Sequence, residues 1–221
     1  MTANALSLVI DTSLNACGLG LYRASEALYA QSDPMQRGQQ ERLAAMAVEA
    51  LSPIRPKDLT HIGVTLGPGS FTGMRIGLSF AKGLAVGLGL KLQGIGTLKA
   101  LGQHSALAGT SRLAVINGGR GQVYIQRFDG EAKYVPQAFN LGDAALAEFA
   151  ASYPIDTLTG PAVGLVNDLW PAALVFPQDW PALETLNRLT LAGGHDDLTP
   201  LYMREADAVA STRGIITLVG A

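Results

Sequence analysis

The 221-residue chain has one cysteine, Cys17, and three histidines, His61, His104 and His195, each far from the others in sequence. A single thiol excludes an internal disulfide framework and fits a reducing compartment. A zinc hydrolase calls for histidines paired one helical turn apart, a pattern absent here, so no metal site is expected. Cys17 has no base near it in sequence and reads as a small buried apolar residue. Charged residues make up only 15% and aromatics 6%, against 48% hydrophobic, which describes a globular chain with a sizeable core. The net charge of -2 gives no global pull toward nucleic acid. The most apolar stretch, Ile76 to Leu92, is broken by Lys82 and carries four glycines, which leaves no charge-free run long enough to span a bilayer. Met1 to Ala5 lacks the basic-then-apolar layout of a signal peptide, and a cytoplasmic location with no membrane contact is the expectation.

One further absence is local. No Asp or Glu occurs between Leu59 and Phe128, while seven cations do: Arg75, Lys82, Lys91, Lys99, Arg112, Arg120 and Arg127. Such a segment either faces something anionic or scatters its cations into solvent. Within it lies the most informative stretch, Gly67-Pro68-Gly69-Ser70-Phe71-Thr72-Gly73-Met74-Arg75. An apolar run, Ile62 to Leu66, precedes it, and a long proline-free apolar segment, Phe71 to Leu88, follows. A strand, a glycine turn and a helix in that order gather unpaired N–H groups at one positively polarised helix end. Glycine there permits positive φ or close approach of another backbone.

Two familiar ligand loops do not fit. A P-loop needs lysine directly after its last glycine, and here Met74 and Arg75 follow Gly73. A dinucleotide fingerprint needs an acid about 20 residues on, where this chain has none, so that reading fails or requires a 2′-phosphate variant. The remaining readings are an anion or partner contact and a tight turn with no ligand.

The apolar periodicities predict strands at 6–10, 17–23 and 26–31, a helix from Gln39 to Leu51, a strand at 62–66, the helix Phe71 to Leu88, a strand at 91–94 and a helix from Thr97. This is a mixed sheet opened by a hairpin and completed by parallel crossovers. Leu113 to Asn117 then repeats the pattern of Ser7 to Asp11, followed by strands at 122–128 and 132–138 and helices near 143–151 and 183–192. The chain therefore reads as α/β, two mixed-sheet units: residues 1–101, a second and less regular unit at 102–199, and a tail at 200–221. Coincidental likeness between apolar strands is the competing reading. Two such units side by side give an actin-like architecture, in which the turns Asp11-Thr12-Ser13 and Asn117-Gly118-Gly119 would face nucleotide. Asn117 cannot ionise, which argues against autonomous phosphoryl transfer.

At this point a family pattern is visible. Ile10 to Ser13, Glu41-Arg42-Leu43, Gly67 to Leu78, Ala81 to Ala85, Gly96-Thr97-Leu98, Gly121 to Tyr124 and Pro200 to Arg204 resemble the TsaB (YeaZ) family, subunits of the bacterial tRNA threonylcarbamoyladenosine synthase. The resemblance implies two actin-like halves, the second degenerate, with no chemistry of its own. It implies pairing with a catalytic paralogue, TsaD, and an ATPase, TsaE, and contact with tRNA through that complex. ATP or ADP and magnesium would then enter only in the assembled complex. Gln39-Gln40 and Asn117-Gly118-Gly119 depart from the family pattern at the inter-half cleft.

The candidate contacts for nucleotide or partner are Asp11, Thr12, Ser13, Gly67, Pro68, Gly69, Ser70, Phe71, Thr72, Gly73 and Arg75. On the Phe71–Leu88 helix, Gly73, Gly77, Ala81, Ala85 and Gly89 form a smooth stripe at i+4 spacing, and Ile76, Phe80, Leu84 and Leu88 line another side. A helix apolar nearly all round is covered on both, one face on its own sheet and the other on a partner, with burial inside the single chain under the second unit as the competing reading. The expected interface of a homodimer, formed when the chain is alone, is therefore Leu43, Ala44, Ala47, Ala50, Leu51, Met74, Gly77, Leu78, Ala81, Lys82 and Ala85. An actin-like ATPase or small-molecule kinase, using Asp11 and the glycine loop, is the alternative from another class.

Overall fold

The computed structural model describes residues 5–107, 111–130 and 132–203. The first sheet contains β1 (Leu6–Asp11), β2 (Ala16–Arg23), β3 (Glu26–Pro34), β4 (His61–Gly67) and β5 (Leu92–Gly96), in the spatial order β3-β2-β1-β4-β5. β1 pairs antiparallel with β2 and parallel with β4, and β4 runs parallel to β5. Every residue of β1 is buried. That continuous burial follows from a central strand covered on both faces.

One face is covered by α1 (Gln39–Leu51) and α2 (Phe71–Leu88), which bury Leu43, Met46, Leu78 and Ala81 against Leu8, Ile10, Ile62 and Val64. The other is covered by α5 (Leu183–Leu191), which seats Leu183, Leu186 and Leu189 against Val9, Tyr22 and Ile95. Asn187 fixes α5 by donating to the Ala24 carbonyl (2.7 Å) and accepting from the Ser7 hydroxyl. A Cβ at Gly63 would overlap the Thr190 hydroxyl, so glycine sets the spacing between β4 and this helix. The helix expected near 183–192 is thus present, and it packs on the first sheet although its sequence lies in the 102–199 stretch.

The second sheet contains β6 (Ser111–Gly119), β7 (Gln122–Asp129), β8 (Ala132–Lys133), β9 (Gln137–Asn140), β10 (Thr157–Thr159) and β11 (Leu174–Phe176), in the order β11-β10-β6-β7-β8 with β9 also on β7. The strand expected at 132–138 is split into β8 and β9. The three-residue strands β10 and β11 were not expected at all. Leu113, Val115, Val123 and Ile125 pack against Leu146 of α4 (Ala144–Ser152) and against Val163, Val166 and Trp170 from short 3-10 turns and the residues flanking them. On the opposite face, Ala114, Ile116, Tyr124 and Phe128 meet Leu98 and Leu101 of α3 (Thr97–Gly102). α3 therefore joins the two sheets. Two mixed sheets flanked by helices make this the α/β, actin-like class expected from the pattern of elements. Among the described residues no helix is long and apolar enough to cross a membrane.

Candidate functional site

β1 ends in the turn Asp11-Thr12-Ser13, and all three residues are buried. One carboxylate oxygen of Asp11 accepts hydrogen bonds from the Ser13 N–H (3.0 Å), the Ser13 hydroxyl (2.6 Å) and the Thr65 hydroxyl on β4 (2.7 Å). Burial pushes the Asp11 carboxyl above its ordinary range, opposed by those hydrogen bonds. Asp11 therefore acts as a fastener between β1 and β4.

The glycine loop closes onto this turn. Ser70 N–H donates to the Ser13 carbonyl (2.7 Å), and the Thr12 hydroxyl donates to the Gly73 carbonyl (2.6 Å). A Cβ at Gly69 would overlap the Ser13 carbonyl oxygen, and one at Gly73 the Thr12 carbonyl oxygen. A Cβ at Gly77 would overlap the Thr12 hydroxyl. Gly67 carries φ +99°. The Ser70 hydroxyl caps α2 by accepting from the Gly73 N–H (3.2 Å), and the Met74 N–H returns to the Ser70 carbonyl (2.9 Å). The structure thus brings the predicted residues 11–13 and 67–73 together, but against each other. Two of the loop's backbone donors, the Ser70 and Gly73 N–H groups, are taken up within the chain, and Gly69 and Gly73 are glycines because the 12–13 backbone lies against them. Gln39 completes the arrangement from α1 by donating to the Leu14 (3.3 Å) and Ala16 (2.9 Å) carbonyls.

The expected interface divides the same way. Leu43, Ala47, Ala50, Met74, Gly77, Leu78, Ala81 and Ala85 are buried in the chain's own core. This corrects the assignment of the smooth stripe to a partner. Small residues let α2 settle onto β1 and β4, so the stripe faces inward. Leu51 is half-buried, and Ala44 and Lys82 are exposed. The outward surface of α2 carries Thr72, Arg75, Ser79, Lys82, Gly83 and Val86, with Val86 84% exposed. Beside it, α1 shows Ala44 and Val48 to solvent. Between them lies an open groove of about 540 Å³ lined by Gln40, Phe71, Thr72, Arg75, Ile76, Ser79 and Phe80. Of these, Ile76 and Phe80 belong to the bulky side of α2 read from sequence and Gln40 was noted as a departure from the family pattern, while Ser79 was not singled out. The bulky i+4 series Ile76–Phe80–Leu84 was the available signal.

Arg75 lies over the Phe71 ring, its guanidinium carbon 3.7 Å from the centroid, and its Nε donates to the Tyr202 hydroxyl (3.2 Å). The other cations of the acid-free segment are spread over several elements. Lys99 is on α3, Arg112 on β6, and Arg127 on β7 between the rings of Tyr134 (3.9 Å) and Tyr153 (4.0 Å). The second turn differs from the first, since Asn117 is exposed and accepts from the Gly119 N–H (2.7 Å). Cys17 is buried, and loss of water pushes its thiol up to about 11, which leaves it a poor nucleophile. No group of three or more His, Cys, Asp or Glu suited to a metal ion occurs among the described residues.

Comparison with known proteins bears directly on this loop and helix. A family model described as TsaD, tRNA N6-adenosine threonylcarbamoyltransferase, matches residues 34–163, more than half of the chain. The protein named tRNA threonylcarbamoyladenosine biosynthesis protein TsaB from Bacillus subtilis is 27% identical over 213 residues, covering 95% of this chain and 78% of that protein. Its namesake from Escherichia coli is 34% identical over 121 residues, covering 53% of this chain and 52% of that protein. The TsaB of Buchnera aphidicola from Schizaphis graminum is 31% identical, and 57% of its length is covered. The chain thus spans about half the length of the latter two relatives. Among solved structures, YeaZ from Pseudomonas aeruginosa superposes with a TM-score of 0.73 at 20% identity, covering 90% of this chain and 100% of that one. A second Pseudomonas aeruginosa structure, described as similar to peptidase YEAZ, gives 0.76 at 22% with the same coverage. With the 34–163 match and the named relatives, the chain belongs to the TsaB (YeaZ) family, within the group that the TsaD model describes.

Proposed function

We propose that the chain is a non-catalytic subunit in the formation of threonylcarbamoyladenosine on tRNA. It acts by holding a TsaD-like catalytic paralogue and a TsaE-like ATPase in a productive assembly. The observation that carries this reading is the closure of the glycine loop on the Asp11 turn. The family's most specific block spends its glycines, with the Ser70 and Gly73 N–H groups, on fixing the start of α2, and so positions a helix surface. That surface, with its 540 Å³ groove, is what the block offers to a partner. On this reading the isolated chain pairs with itself, works in the cytoplasm, and meets nucleotide, magnesium and tRNA only within the complex.

The test is reconstitution. Purified TsaD-like and TsaE-like subunits, ATP, a threonylcarbamoyl donor and unmodified tRNA are combined with and without the chain. Modification that depends on the chain, with no ATP turnover by the chain alone, is the expected result. Full modification in its absence would overturn the reading.

A second reading, an actin-like ATPase, draws on a pocket of about 530 Å³ lined by Asn15, Pro34, Met35, Gln36, Pro161, Asp179 and Trp180. It joins the hairpin that follows Asp11 to loops of the second sheet. Sustained ATP hydrolysis by the chain alone, lost in Asp11→Asn, would favour it.

A further inference from the structure

We infer that Arg75 is a docking anchor for a carboxylate, carried on an apolar segment of a partner protein that enters the α2 groove. The inference rests on the partner-face reading above and names the chemistry of what binds there. Arg75 stands near the N-terminal end of α2, where the helix dipole disfavours a cation. It does not stabilise its own helix. It is nonetheless held in one orientation by the Phe71 face at 3.7 Å and by the Tyr202 hydroxyl at 3.2 Å, with the Tyr202 ring 5.0 Å from that of Phe71.

Among the described residues, its two terminal nitrogens donate to no acceptor, so the guanidinium fork is ordered yet unused. Ordering an arginine costs side-chain entropy, and here that cost falls on folding instead of on docking. The planar fork matches a carboxylate by two parallel hydrogen bonds. Beside it, Phe71, Ile76 and Phe80 line the groove, so the complementary group is an acid flanked by apolar side chains. Lys82 lies seven residues, or two turns, further along the same side, and α2 contains no acid to answer either cation.

The charge pattern also separates the candidate occupants. A nucleic acid backbone is held by many cations, on the order of 6–10 contacts, whereas this surface of α2 offers Arg75 and Lys82. A second copy placed α2 to α2 would bring like charges together. A distinct protein with carboxylates in this position meets neither objection.

The experiment titrates the full chain with the purified TsaD-like paralogue by calorimetry, in parallel with thermal unfolding. Arg75→Glu should weaken binding by about tenfold to a hundredfold with an unchanged unfolding temperature, because it juxtaposes two carboxylates. Arg75→Lys should fall between, because it keeps the charge and loses the fork. At least one acid-to-arginine substitution on the paralogue should restore binding to Arg75→Glu. Undiminished binding by Arg75→Glu, or no rescuing substitution, overturns the carboxylate assignment. So does a loss seen only when tRNA is added, which assigns a phosphate, or a loss confined to self-association, which assigns a second copy. No binding by the wild type removes the partner reading, and this inference with it.

Discussion

The two faces of α2 are built from one sequence and meet opposite surroundings. The inner face, Gly73, Gly77, Ala81 and Ala85, is small so that the helix can lie against β1 and the 12–13 turn. The outer face, Thr72, Arg75, Ser79, Gly83 and Val86, has no cover among the described residues. Small residues at i+4 spacing mark a close helix contact, but they do not say with what. In this chain the contact is internal. The exposed face is the less regular one, with Arg75 and its Phe71 and Tyr202 contacts at its edge.

The largest separation between the faces should come from adding charge. Ala81 is fully buried, so Ala81→Glu places a carboxylate in the core and should cost about 4 kcal/mol or more, with unfolding seen at ordinary temperatures by circular dichroism. Retention of the wild-type unfolding temperature would show that the inner face is not packed as described. A smaller loss is expected from Gly73→Val. Its Cβ would meet the Thr12 backbone, which cannot rotate away, and strain of this kind costs about 1–3 kcal/mol. Urea unfolding measures it, and Gly83→Ala, with open space around the site, is the control, expected to stabilise slightly through helix propensity.

Asp11 gives a subtler test of the same inner anchor. Its carboxyl is raised above 3.8 by burial, so the folded state holds its proton to higher pH than the unfolded chain does. Stability tied to this group is therefore full below about 3.8 and declines as pH rises from there through the raised value. Asp11→Asn keeps an acceptor for Ser13 and Thr65 and removes the titration. Its unfolding free energy should vary less with pH across that window than the wild type's, and an identical pH profile would contradict the assignment.

Much of this architecture was legible in the sequence because its periodicities are strong. α1 and α2 begin and end at the expected residues, Gln39–Leu51 and Phe71–Leu88. The Ser70 cap and the αL glycine at Gly89 explain why the second has such definite limits. Thr157–Thr159 and Leu174–Phe176 are too short to show a period, and the second sheet lost two strands to that. The destination of α5 is set by long-range packing of Leu183 and Leu186 on the first sheet, which no local pattern carries. The glycine loop was recognised, but its occupant was not. Nothing in Gly67 to Gly73 distinguishes a cradle for an anion from a seat for the chain's own 12–13 turn, since both need glycine for the same steric reason.

The most direct measurement of the central claim places a charge on the outer face alone. Ser79 and Val86 are both exposed, so Ser79→Glu and Val86→Glu should change stability by no more than about 0.5 kcal/mol. In the reconstituted reaction with TsaD-like and TsaE-like subunits, both variants should fold with wild-type unfolding temperatures yet lose most of the tRNA modification. Wild-type modification by both would contradict the claim that this chain works by presenting the outer surface of α2.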